Sequence, residues 1–171
     1  MNAIYYGVTQ PVMYSKKRNE TVAVPIVNQK ERQTYYEAVD YFTKEFFLKA
    51  YPQGNGFYTV SFLKELLKHK DETTKLMLIW DGASYHFGTE MQKYLEEVNA
   101  TLDENEWRIS CVLLAPHARI KTTQEDIWLS VQNFLRRHFF ENKTFAQVKD
   151  SFVNFLNGQI FDFPKLSLFA S

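Results

Sequence analysis

Over the first fifty residues the apolar positions come in short runs rich in β-branched and aromatic side chains; beyond residue 58 they recur every three or four. The first pattern is that of strands, and it predicts extended segments at Thr21 to Val27, Tyr35 to Phe42 and Glu45 to Ala50. Asp40-Tyr-Phe-Thr-Lys44 is the predicted turn between the last two, which makes them an antiparallel meander. Pro25 marks the first segment as an edge strand or a bulge, because proline cannot donate to a ladder. The second pattern begins after the breaker-rich Pro52-Gln-Gly-Asn-Gly56. Val60, Leu63, Leu66 and Leu67 then predict a helix over 59–70.

Two apolar runs further on are too short for helices. Lys75 to Trp80 reads as a short buried strand with an acid, Asp81, at its carboxyl end, and Ile109 to Leu114 reads as a second buried strand. Cys111, the single cysteine, is predicted to be a buried thiol there. Thr89 with Gln92 has the spacing of a capping box and predicts a helix carrying Tyr94, Leu95 and Val98. Thr122 with Glu125 repeats that spacing and opens a long helix with Ile127, Trp128, Val131, Leu135 and Phe139 on its apolar side. A last helix over 144–156 carries Phe145, Val148, Phe152 and Phe155. The order predicts one α/β domain over residues 1–171, with an antiparallel section first and a parallel section after it. In such sheets chemistry gathers at the carboxyl ends of the strands, where Asp81 stands.

Composition narrows the partners. Twenty basic residues balance twenty acidic ones, so any contact with nucleic acid has to come from local clusters. Three are present: Lys16-Lys17-Arg18, Arg119-Ile-Lys121 and Arg136-Arg137. One cysteine excludes a disulfide framework and a cysteine-based zinc site. No run approaches the roughly 18–20 apolar residues that span a bilayer, and the N-terminus has no signal-peptide pattern. A cytoplasmic protein without a membrane partner is expected.

The acids carry the candidate chemistry. Phosphodiester cleavage with two cations needs carboxylates converging on ions roughly 3.5–4 Å apart. Mg2+ or Mn2+ suits such a site, since a hard ion takes oxygen ligands and keeps several waters. Asp81 at a strand end and Glu125 at a helix start are the candidates, with Asp126 adjacent to the second. His86, five residues after Asp81, and His117, just past the second buried strand, are placed to approach the same strand ends. Read alone, both acids have structural alternatives: Asp81 as a turn or cap residue, Glu125 as half of a capping box. His69 and His138 read as surface residues, Trp128 as core, and Ser84 lacks the surroundings of a nucleophile elbow.

With these acids in place, the chain resembles the DDE transposases of bacterial insertion sequences, of the mariner-like superfamily. Leu78-Ile-Trp-Asp-Gly-Ala-Ser-Tyr-His86 is similar to their second-acid motif, an apolar strand followed by D-N-A-x-x-H. Leu114-Ala-Pro-His-Ala118 with Glu125-Asp-Ile-Trp128 resembles the third, a loop leading to an acid with Trp three residues later. Tyr6-Gly-Val-Thr-Gln-Pro-Val12, Tyr36-Glu-Ala-Val-Asp40 and the ending Gln159-Ile-Phe-Asp-Phe-Pro-Lys165 extend the likeness along most of the chain. The resemblance implies a ribonuclease-H-like mixed sheet flanked by helices. It makes Asp81 and Glu125 metal-binding catalytic carboxylates, and it implies Mg2+ or Mn2+ as cofactor. It further implies strand cleavage and strand transfer at transposon-end DNA, with Arg119, Lys121, Lys16, Lys17 and Arg18 meeting phosphates. Its partners would be a second copy or a full-length transposase.

The departures are equally specific. The family's first acid precedes the Tyr6-Gly7 region, as does its helix-turn-helix section, so a domain lacking that acid and the first central strand is expected. Its activity would then be impaired, and a DNA- or transposase-binding regulator, or a gene remnant, becomes the alternative. Gly82 stands where Asn is usual, and Arg119-Ile-Lys-Thr-Thr123 replaces a proline- and asparagine-rich loop. An absent central strand would leave backbone groups unpaired on its neighbours, at about 1–3 kcal/mol for each buried group. Either residues within 1–15 fill that place, or the chain is marginal in stability and prone to associate.

Overall fold

A computed structural model describes residues 2–5, 13–14, 21–22, 31–71, 73–80, 88–113, 123–157 and 159–161, with backbone alone at 2–5, 13–14, 21–22 and 123–125. Among them the order is β1 (Asn2–Tyr5), β2 (Met13–Tyr14), β3 (Thr21–Val22), β4 (Arg32–Val39), β5 (Phe46–Tyr51), α1 (Gly56–Lys68), β6 (Leu76–Trp80), α2 (Thr89–Val98), β7 (Ile109–Leu113), α3 (Thr123–Arg137) and α4 (Phe145–Leu156). The chain divides into two compact units, one over Lys49–Ile120 and one formed by Asn2–Leu48 with Lys121–Ser171.

The second unit holds the antiparallel section. β4 lies between β1 and β5, and β1 runs antiparallel to it with Asn2 opposite Tyr35 and Tyr5 opposite Arg32. A strand from within the first fifteen residues therefore pairs with the meander through β4. β2 and β3 form a separate antiparallel pair. The expected strand from Thr21 to Val27 is described only at Thr21–Val22; its remainder, with Pro25, lies outside the described residues. The turn between β4 and β5 is built by Asp40, whose carboxylate accepts from the backbone N–H of Phe42 and Thr43 at 2.9 and 3.0 Å. Such Asx bonding is the local reason an aspartate ends this strand. It also settles the position of Asp40 as a turn residue.

One face of β4 carries Tyr35, Glu37 and Val39, as the two-residue period requires. Against that face pack α3, through Ile127 and Val131, and α4, through Phe145, Val148, Phe152 and Leu156, so the core of this unit sits between sheet and helices. The predicted apolar sides of both helices are thus largely the observed ones, except that α3 ends at Arg137, before Phe139. α4 begins in a full capping box at Thr144 and Gln147, which the sequence reading did not single out.

The first unit holds the parallel section. β6 and β7 run parallel, Leu76 opposite Ile109 and Trp80 opposite Leu113. α1 and α2 supply Phe62, Leu63, Met91 and Tyr94 to its buried residues. α1 starts three residues earlier than predicted because Asn55, inside the breaker run, caps it by accepting from the Tyr58 N–H at 2.9 Å. The Asn99 side chain, just past α2, accepts from the Ile109 N–H and donates to the Ile109 carbonyl at 3.2 and 2.9 Å. It thereby stands in for a neighbouring strand and fixes where β7 begins.

Three expectations are corrected here. The Thr89–Gln92 capping box does not form: Gly88 is the cap residue, no side chain caps α2, and Thr89 is already helical. β6 is not buried on both faces, since Met77 and Ile79 are 69% and 60% exposed; an unbroken apolar run still alternates its side chains between two faces. Nor is Cys111 buried. It is exposed, in the outer part of β7.

Exposed though it is, Cys111 is flanked by enough protein for desolvation to push its thiol from 9.0 up to about 11. Alkylation proceeds through the thiolate. At pH 8 the reaction of Cys111 with iodoacetamide is therefore expected to be at least about tenfold slower than that of a cysteine peptide, whose thiolate fraction is larger. A rate within fivefold of the peptide would show that the thiol is not desolvated.

Candidate catalytic site

β6 ends at Trp80, so Asp81 follows the last paired residue of a parallel strand, in the first unit. Its side chain, with those of His86, His117, Arg119, Lys121, Lys16, Lys17 and Arg18, lies outside the described residues. Glu125 is the third residue of α3, in the second unit, and the backbone there is described without the side chain. The Thr122 half of its expected capping box is outside the described residues. Strand end and helix start are thus where the sequence pattern put the two acids. A carboxylate in the first turn of a helix also gains from the partial positive charge of the helix N-terminus.

The side chains described next to this helix start are specific. Asp126 is half-buried, and its backbone carbonyl accepts from the Ser130 hydroxyl at 2.9 Å. Trp128, one turn past Glu125, is half-buried and packs against the core, its ring 5.4 Å from that of Phe152. Its indole N–H donates to both carboxylate oxygens of Glu37 on β4, at 2.6 and 2.7 Å. Glu37 is a residue the sequence reading missed. Its partner is 91 positions away, and nothing local to Tyr36-Glu-Ala-Val-Asp40 marks it.

At the other end of α3, Arg136 and Arg137 are exposed. Arg137 and His138 border an open groove with Ser130, Asn133, Phe134 and Phe155, in which the two phenyl rings stack at 4.5 Å. His138 pairs with Glu141 at 3.0 Å and His69 is exposed, so both are surface histidines as expected.

Among the described residues no three His, Cys, Asp or Glu side chains gather into a group that could hold a metal ion. The donor chemistry of the candidate acids does fit one. Asp81, Glu125 and the adjacent Asp126 offer oxygen atoms only, the ligand type of Mg2+ and Mn2+ rather than of zinc or copper. No helix among the described residues is long and apolar enough to cross a membrane.

An antiparallel meander, a parallel strand pair and flanking helices define a mixed α/β fold of the ribonuclease-H-like kind. The chain belongs to the DDE superfamily endonucleases, whose family model matches residues 6–147, a span containing both Asp81 and Glu125. The fold is shared with a chain in a cryo-EM structure of the simian T-cell lymphotropic virus intasome in complex with PP2A regulatory subunit B56 gamma. The two are 12% identical with a TM-score of 0.52 over 81% of this chain, which spans 51% of that chain's length. No curated protein matches the chain by sequence.

Proposed function

We propose that this chain is the catalytic-type domain of a transposase of the bacterial insertion-sequence, mariner-like kind, acting on DNA phosphodiesters at transposon ends. The observation that carries the reading is the DDE family match across two acids that follow β6 and open α3. Asp81 and Glu125 are the carboxylates that hold Mg2+ or Mn2+ in this reading, with Asp126, His86 and His117 beside them. The cations, when bound, would supply Lewis-acid stabilisation of the charge that builds on the scissile phosphate. The chain's own work in this reading is to supply the two carboxylates, from two different elements, and to seat the DNA.

Arg119 and Lys121, with Lys16, Lys17 and Arg18, meet phosphates in this reading, so binding should weaken steeply with salt. Strand transfer, and assembly with a second copy or with a full-length transposase, belong to the same proposal. So does a cytoplasmic location beside the bacterial chromosome.

The test is a titration with Mn2+ alone, followed by calorimetry. Loss of partners that merely orient ligands costs about 10–100-fold in metal affinity. Asp81→Ala and Glu125→Ala, which remove ligands outright, are therefore each expected to weaken Mn2+ binding by at least about tenfold. Equal affinity in the double alanine variant would overturn the assignment.

A further inference from the structure

The Glu37–Trp128 pair joins two elements of the second unit at a place where small displacements matter. Glu37 lies on β4, the middle strand of its sheet, held by β1 on one side and β5 on the other. Its carboxylate is half-buried and accepts from the Trp128 indole N–H with both oxygens, at 2.6 and 2.7 Å. Charged acceptors give shorter and stronger bonds than neutral ones, and an N–H that must point at one carboxylate fixes rotation as well as distance. Core packing alone is less exacting. Apolar contacts such as the 5.4 Å ring pair between Trp128 and Phe152 are non-directional and tolerate a small slide or roll of the helix.

Trp128 stands three residues after Glu125 on α3. Three residues span about 4.5 Å along a helix and nearly one turn around it, so an anchor at Trp128 fixes the height and the azimuth of the first turn. We infer that Glu37 is a positioning residue: through the Trp128 indole N–H it sets the register of α3 on β4, and with it the place of Glu125. This rests on the reading of Glu125 as a metal-binding carboxylate. The pairing also gives the Trp three residues after the acid a task, which its apolar side alone did not.

The test measures Mn2+ affinity of the full chain for Glu37→Leu, Glu37→Gln, Trp128→Phe and the Glu37→Leu/Trp128→Phe double variant, alongside Asp81→Ala and Glu125→Ala. Circular dichroism establishes that each is folded at the assay temperature. The expectation is about tenfold weaker binding for Glu37→Leu and for Trp128→Phe, the scale seen when a ligand loses its orienting partner. The double variant should be no weaker than Glu37→Leu, since Trp128→Phe then removes an interaction already lost. Glu37→Gln keeps a carbonyl oxygen for the indole and should bind within about threefold of the unaltered protein. In a proton–nitrogen spectrum the Trp128 indole signal should be protected from exchange, stay so in Glu37→Gln and lose protection in Glu37→Leu.

The failures are separable. If Asp81→Ala and Glu125→Ala bind Mn2+ as the unaltered protein does, the metal-site reading falls and this inference falls with it. If those two lose affinity while Trp128→Phe keeps it, the positioning role alone is overturned. Trp128→Phe preserves the ring, so it serves should Glu37→Leu fail to fold. Loss of affinity in Glu37→Gln without loss in Trp128→Phe would make Glu37 a ligand instead.

Discussion

Phe152→Ala is expected to destabilise the chain by about 3–5 kcal/mol, the range for emptying a fully buried phenyl site. Phe152 is 0% exposed, and its ring lies 4.7 Å from that of Tyr35 on β4 and 5.4 Å from that of Trp128 on α3. It is therefore the side chain through which α4 touches both the sheet and the helix bearing Glu125. Removing it takes away the apolar transfer energy and leaves a void that three rigid elements cannot close, so the larger end of the range is expected. Against a total stability of about 5–15 kcal/mol, a loss of this size is a large fraction of the whole. At about 2–4 °C per kcal/mol for a chain of this length, the thermal midpoint should fall by roughly 6–20 °C. Phe152→Leu, which keeps most of the volume, should cost under about 1.5 kcal/mol. Phe155→Ala, at a half-buried position, should cost less than Phe152→Ala. A denaturant titration giving less than about 1 kcal/mol for Phe152→Ala would mean that this core is not assembled as described.

That core was legible before any coordinates because it rests on periodicity. Ile127 and Val131 on α3, and Phe145, Val148 and Phe152 on α4, recur at the spacing that puts them on one side, and all are buried, as is Leu156, which the pattern had not named. The end of the Lys75 to Trp80 run was legible from its length, and with it the position of Asp81 after Trp80, whereas β4 spans Arg32–Val39 and not Tyr35 to Phe42. Single-residue features were not. Asn55 sits in a run of breakers that reads as loop, yet one of those residues is the cap of α1. Thr89 and Gln92 have the right spacing, but spacing cannot say whether a threonine stands before the helix or inside it, and Gly88 took the cap. The run Leu76-Met-Leu-Ile-Trp80 looks apolar on both sides, and sequence carries no signal for which side another element covers.

The same distinction divides the candidate site. Asp81 and Glu125 stand out as candidates because strand, helix and motif each mark their own position within a few residues. Glu37 was invisible because the partner it binds, Trp128, is 91 residues away. A half-buried carboxylate in the middle of a strand is a cost unless something answers it, and the answer is an indole N–H on another element. Local reading finds residues that end or begin elements. It does not find those that lock one element against another.

The largest functional effect is expected at Asp81. Asp81→Asn keeps the size and polarity of the side chain and removes its negative charge, so folding and contacts with DNA phosphates should be little altered. A metal ion at a phosphoryl centre is worth several kcal/mol of transition-state charge stabilisation, and about 4 kcal/mol is about a thousandfold in rate. Mn2+-dependent cleavage of duplex DNA carrying the transposon end, measured under single-turnover conditions, is accordingly expected to fall by about a thousandfold or more. DNA affinity at fixed salt should stay within about threefold, because in the proposed reading the phosphates are met by Arg119 and Lys121 and not by Asp81. The two readouts together separate a nuclease from a protein that only binds DNA on the same fold. Cleavage by the unaltered chain that survives Asp81→Asn would place the chemistry at other residues. Mn2+-independent DNA binding with no cleavage in either protein would make the chain a binding module, in which charge reversal at Arg119 and Lys121, not loss of Asp81, abolishes function.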